Sequence, residues 1–257
     1  GVNFEILDLK WSNRFPAQTK IADVRDIESL RDAISGDVII NLAAVHRDDI
    51  WDKSEYYRTN VEGTKNVTDI CTEKDIKKII FTSSVAVYGF TEHEIAEDGA
   101  TNPFNEYGKT KLLAEEKLRE WNKAQGNSLI IVRPTVIFGE GNRGNVYNLM
   151  RQIETGKFIM VGNGKNRKSM AYIQNIVVFL ENCVDEKVKY ALYNYVDKPN
   201  YDMNTLVAQV RKALGRKQKF QLRLPYFVGL LLGYLGDGLM LLTKNKIALS
   251  SVRVRKF

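Results

Sequence analysis

Tyr107-Gly-Lys-Thr-Lys111 sets a phenol and an ammonium four residues apart at the head of a helical pattern. Residues so spaced share one helix face, so Lys111 can sit beneath the Tyr107 ring. An ammonium there favours the phenolate and lowers the tyrosine pKa from its reference of about 10. The product is a base usable near neutral pH. Upstream, the apolar run at 78–81 ends in three hydroxyl residues, Thr82, Ser83 and Ser84. A hydroxyl at that strand end can bond the same substrate oxygen. A Ser/Tyr/Lys set suits proton transfer coupled to hydride transfer at a carbinol carbon. Tyr-x-x-x-Lys alone is common in helices; its spacing to Ser83-Ser84 makes it informative.

These groups need a scaffold that ends strands beside a helix. Apolar, β-rich runs alternate with helical patterns, which predicts an α/β fold with helices on both faces of a parallel sheet. Strands are expected at 4–7, 38–42, 78–82, 129–132 and 191–196, with an extended segment at 157–161. Helices are expected at 27–34, 55–72, 107–125, 146–154, 176–184 and 203–214. Asp8 closes the first of these strands. A carboxylate there can accept both ribose hydroxyls of adenosine and repels a 2′-phosphate, which favours NAD over NADP. Lys10 and Arg14 lie close and weaken that distinction, and a strand-end turn aspartate is the plainer reading. Leu42-Ala43-Ala44 ends the 38–42 strand run, where small side chains let a ligand approach the backbone.

Composition narrows the classes. The apolar content of 44% suits a globular domain, and 257 residues suffice for one large α/β domain or one with an appendage. The formal charge of +7 fits a polyanionic ligand such as a nucleotide sugar, or plain solubility. No nucleic-acid signature and no metal-ligand spacing is present, so neither partner is expected. Cys71 and Cys183 fall in no motif, which suits a reducing cytoplasm. His46 and His93 are isolated, and Gly139-Glu-Gly-Asn-Arg-Gly144 reads as a loop. Residues 226–242 form an apolar stretch of 17 residues containing Asp237 and four glycines, short for a membrane span. A packed helical pair is the first reading; an interfacial helix followed by Lys244, Lys246, Arg253, Arg255 and Lys256 is the second.

In order along the chain stand Ile6-Leu-Asp8, Ala22-Asp-Val-Arg25, Val38 to Ala44, Asn60-Val-Glu-Gly-Thr64, Ser83-Ser84, Tyr88-Gly89, Tyr107 with Lys111, and Arg133-Pro134. With that set the chain resembles the extended short-chain dehydrogenase/reductase family, the NAD-dependent sugar epimerases and dehydratases. The resemblance runs from Glu5 to about Lys198. It implies a Rossmann-like doubly wound sheet over 1–139 and a smaller substrate-binding region over 140–257, with about 171–196 returning to the core. It implies Ser84, Tyr107 and Lys111 as catalytic residues. Thr82, Ser83, Asn60 and Pro134 would line the cofactor with Leu42, Ala43 and Ala44, and Asp23-Val24 would meet the adenine. Asn148-Leu149 and Lys168 would hold the nucleotide diphosphate. Lysine replaces the family's usual arginine at 168, so bidentate phosphate contact is lost there.

Dehydratases of this family place Asp-Glu after the catalytic hydroxyl. Val85-Ala86 stand here and cannot move protons, which leaves epimerisation at C4 of a nucleotide sugar or reduction of a 4-ketone. A sugar or steroid-type dehydrogenase is the nearest alternative, and a redox-silent cofactor-binding module the alternative from another class. The resemblance further implies bacterial polysaccharide biosynthesis in the cytoplasm. It also implies a homodimer through the 55–72 and 107–125 helices, using Leu112, Leu113, Leu118 and Trp121.

The family's Gly-x-x-Gly-x-x-Gly occurs nowhere in these residues. The chain is expected to be a fragment that opens just before the family's second strand, with the first strand and Gly-rich loop absent from it. Without that loop the pyrophosphate lacks a cradle of backbone N–H groups and a helix N-terminus. Residues 1–257 alone are therefore expected to bind NAD weakly by titration calorimetry; micromolar affinity would contradict this.

Overall fold

The computed structural model describes residues 3–47, 50–91, 93–216 and 223–243, with side chains as far as 238. The chain divides into two compact units, Gly1–Thr135 with Gln174–Tyr195, and Val136–Ile173 with Val196–Phe257. Elements in chain order begin with β1 (Ile6–Asp8), β2 (Thr19–Ile21), α1 (Ile27–Ala33), β3 (Val38–Asn41), α2 (Ser54–Tyr56) and α3 (Gly63–Glu73). Then come β4 (Lys78–Thr82), α4 (Glu106–Gln125), β5 (Ser128–Pro134), β6 (Val136–Phe138), α5 (Asn145–Glu154), β7 (Met160–Val161) and β8 (Met170–Tyr172). The chain continues through α6 (Ile173–Asp185), β9 (Tyr190–Tyr195), α7 (Met203–Ala213), β10 (Arg223–Leu224) and α8 (Tyr226–Thr243).

The first unit is built on a parallel sheet of order β3-β4-β5-β9. Side chains alternate across a strand, and here both faces are covered. Ile79, Phe81, Leu129 and Ile131 join α1, α3 and α4 through Leu30, Val67, Ile70, Leu118 and Trp121. Ile80, Ile130 and Val132 join Phe179, Leu180 and Cys183 of α6. Strands buried on both faces read as unbroken apolar runs, which is why β4 and β5 stand out in the sequence. α4 starts where the Asn105 side chain accepts from Gly108 N at 2.8 Å and stops at Gly126 with φ 64°. In the second unit Ile153, Phe158, Met160, Met203, Leu206 and Val207 form a separate core.

The parallel-sheet α/β fold is as expected, with β1 pairing only with β2, apart from the four-stranded sheet. Other expectations need correction. The 55–72 helix carries a π-helical segment, Tyr57–Glu62, between α2 and α3. The extended 157–161 segment shortens to Met160–Val161, while β2, β6, β8 and β10 are too short to show a period. Residues 226–242 form one helix, α8, in place of a helical pair; each interior glycine costs about 1 kcal/mol relative to alanine, too little to break it. Leu118 and Trp121 lie inside the core at 0% and 6% exposure, so neither can serve a dimer interface. Among the described residues no helix is long and apolar enough to cross a membrane.

Candidate active site

The carboxyl ends of β3 and β4, the N-terminal turn of α4 and the 3₁₀ turn Val85–Tyr88 meet at one place. Lys111 is fully buried, and its Nζ donates to the Thr82 carbonyl at 2.8 Å and lies 4.4 Å from the Phe81 ring centroid. An ammonium has three donors, and that carbonyl accounts for one. Burial pushes the Lys111 pKa down to about 7, opposed by the charge of Glu115. Ser84 caps the 3₁₀ turn, its Oγ accepting from Ala86 N at 3.1 Å, which leaves the hydroxyl proton for a ligand. Gly108 lets α4 press onto that turn, since a Cβ there would stand 2.6 Å from the Ala86 carbonyl. Tyr107, half-buried, occupies the second position of α4.

Asn60 sits in the π-helical segment and is buried. Its Oδ1 accepts from Val45 N at 2.8 Å, and its Nδ2 donates to the Val45 carbonyl at 3.0 Å and to Thr110 Oγ1 at 2.9 Å. It therefore ties the loop after β3 to α4. π-segments inside helices recur at functional sites, and nothing in the periodicity marks this one. Leu42 is exposed beyond β3, Ala43 and Ala44 are half-buried, and Thr82 Oγ1 bonds the Asn41 carbonyl at 3.3 Å. Asp8 is exposed, with Oδ1 accepting from Lys10 N at 2.9 Å. The Asp23 carboxylate is paired with Arg25 through Nε and Nη2, which lowers its pKa, and Gly63 packs against Val24. Pro134 ends β5.

Beneath Ser83 runs a buried network that sequence reading missed. Glu115, one turn after Lys111, is at 0% exposure. It accepts from Ser83 Oγ at 2.5 Å and from Arg133 Nε and Nη2 at 2.8 and 2.6 Å. Burial pushes its carboxyl up, but the bonds from Arg133 and Ser83 and the charges of Arg133 and Arg119 bring it below the ordinary value. Arg133 also donates to Tyr88 Oη at 2.6 Å, and Tyr88 donates to Asn194 Oδ1 at 2.8 Å. Four residues separate Lys111 from Glu115, so the helical spacing itself was the available signal.

Three of the candidate residues lie in the second unit. Asn148 is exposed on α5, Leu149 packs on that unit's core, and the Lys168 backbone donates to the Tyr201 carbonyl at 3.2 Å. Among the described residues no cluster of His, Cys, Asp or Glu is set to hold a metal ion. A cavity of about 500 Å³ opens at the other end of the sheet, by Lys78 and Ser128, away from these groups.

Residues 7–194 match the NAD dependent epimerase/dehydratase family. The N-acetyl-alpha-D-glucosaminyl-diphospho-ditrans,octacis-undecaprenol 4-epimerase of Escherichia coli O157:H7 is 52% identical over 99% of this chain, which spans 78% of that protein. The UDP-glucose 4-epimerase of Vibrio cholerae is 27% identical over 91% of the chain and 70% of its own length. The crystal structure of UDP-glucuronic acid 4-epimerase from Bacillus cereus in complex with NAD has the same fold. Its TM-score is 0.70 at 23% identity, over 81% of this chain and 69% of that one.

Lys111 gives a test of the site's burial that needs no ligand. Its folded pKa of about 7 lies below the unfolded value of about 10.4. Between those values the unfolded chain binds more protons, so this residue makes stability rise with pH. Lys111→Met removes that dependence. In urea titrations the Met variant's stability advantage over wild type is expected to shrink from about pH 7 to about pH 10. A gap that stays constant would show that Lys111 is not desolvated.

Proposed function

The chain belongs to the NAD dependent epimerase/dehydratase family, and we propose that it inverts C4 of an N-acetylhexosamine joined to a diphosphate. The observation that carries this reading is the buried Lys111 ammonium, tied to the end of β4 and four residues after Tyr107. The 52% identical relative, whose name specifies an N-acetylglucosaminyl diphosphate on a polyprenol, supports the sugar and the lipid carrier. A uridine diphosphate carrier is the second form to test.

NAD, when bound, supplies the hydride acceptor and donor at C4. The residues present fit it: a buried ammonium with donors to spare, a strand-end carboxylate at Asp8, and small residues after β3. Lys111, Thr82, Ser83, Asn60, Pro134 and the 42–44 turn would hold its nicotinamide half, and Asp8 the adenosine ribose. Asp23 would have to share its carboxylate with Arg25 to reach the adenine beside Val24.

Tyr107 takes the proton from the C4 hydroxyl and returns it after the sugar has presented its other face. Lys111, when protonated, favours the phenolate of that phenol. Ser84 donates its hydroxyl proton to the same substrate oxygen. Val85 and Ala86 hold no proton near C5, so the oxygen at C6 is retained. Asn148, Leu149 and Lys168 of the second unit serve the diphosphate, and that unit is the substrate region. The full-length protein works at the cytoplasmic side. It self-associates through the outer faces of α3 and α4, where Leu113 is exposed.

In the full-length protein, Tyr107→Phe should lower interconversion of the N-acetylglucosamine and N-acetylgalactosamine forms about 10²–10⁴-fold. The melting temperature should not move, because ring volume is kept. Ser84→Ala should cost less. Wild-type turnover on lipid-linked and uridine-linked sugars, followed by chromatography of the products, should proceed without net consumption of NADH. A Tyr107→Phe enzyme near wild-type rate would remove Tyr107 from the reaction. Stoichiometric NADH oxidation would make the protein a ketoreductase.

A further inference from the structure

α8 is built with its large apolar residues outward. Phe227, Leu231, Tyr234 and Leu235 follow the i, i+4, i+7, i+8 spacing of one helix face, and they are 71%, 61%, 48% and 58% exposed. Gly229, Gly233 and Gly236 fall on the opposite side and are buried. A water-facing helix ordinarily shows the reverse arrangement, with its apolar stripe turned to the core.

Charge is distributed unevenly around this helix. Residues 203–257 hold eleven of the 38 Lys and Arg and one of the 31 acidic residues, Asp237. That stretch carries +10, while residues 1–202 carry −3. The basic residues fall on both sides of α8 in the sequence, Arg211 to Arg223 before it and Lys244 to Lys256 after it; from 224 to 243 the sole charge is Asp237.

From the outward apolar face and the flanking positive charge we infer that α8 lies in the plane of an anionic bilayer surface. Phe227, Leu231, Tyr234 and Leu235 enter the boundary between headgroups and acyl chains, and the flanking Lys and Arg meet the lipid phosphates. Apolar burial and attraction to anionic lipid together set the strength of such binding. A second copy of the chain is a poorer occupant, because face-to-face pairing would bring two +10 stretches together. This goes beyond the epimerase reading and does not depend on it.

The test is flotation of the protein, without substrate, on vesicles of phosphatidylcholine with phosphatidylglycerol and on phosphatidylcholine alone. The protein should float with the anionic vesicles, and partitioning should fall about tenfold or more on neutral vesicles or in high salt. Phe227→Glu with Leu231→Glu, both at exposed positions, should lower anionic-vesicle binding about tenfold or more. The wild-type comparison of lipids and salts needs no variant and stands if the double variant unfolds. Absence of flotation on anionic vesicles overturns the proposal, as does equal flotation by a folded double variant. A wild-type dimer that the double variant dissociates, with no vesicle binding by either protein, overturns it in favour of a self-interface. In each case the Tyr107 assay is unaffected.

Discussion

Lys111 is an ammonium held at 1% exposure with one carbonyl and one aromatic face as neighbours. A charge so placed is costly unless something compensates it. The protein supplies partial compensation: the Thr82 carbonyl, the π-face of Phe81, and the Glu115 carboxylate one helical turn further on. The remaining deficit is what a phenolate and a cofactor ribose would relieve. On the proposed reading, the packing that buries Lys111 would also make Tyr107 acidic when the site is filled.

Everything around that lysine holds two elements together. Glu115 joins α4 to the end of β4 through Ser83 and to the end of β5 through Arg133. Arg133 and Tyr88 carry the connection on to Asn194 in β9. Asn60 joins the loop after β3 to α4 through Thr110. Removing one member of a buried ion pair costs about 3–5 kcal/mol, so Arg133 and Glu115 set the positions of three strand ends at once. Ser84 follows the end of β4, and Tyr107 rides on α4, which Glu115 anchors.

Much of this was legible because β4, β5 and α4 obey strong local rules. Two-sided burial makes β4 and β5 continuous apolar runs, Asn105 and Gly126 cap α4, and the four-residue spacing of Tyr107 and Lys111 sets both on one face of that helix. Most of what escaped has no local signature. The π-helical segment at 57–62 leaves the sequence period nearly unchanged. Strands of two or three residues show no alternation, and the split of the sheet depends on which strands pair. Leu118 and Trp121 look like interface residues on a helical wheel, but the sheet takes them as core. The Glu115–Arg133 pair joins residues that only the tertiary fold brings together.

The central claim is that Lys111, by its charge and burial, makes Tyr107 a base near neutral pH. It is tested most directly by the Tyr107 pKa in the NAD-bound, full-length protein. Tyrosines labelled with ¹³C at the ζ carbon report each phenol by NMR, and Tyr107→Phe assigns the one signal. The account predicts a Tyr107 titration well below the reference of about 10 in wild type, and a return to about 10 or above in Lys111→Met. A Tyr107 pKa that is the same in both proteins would contradict it.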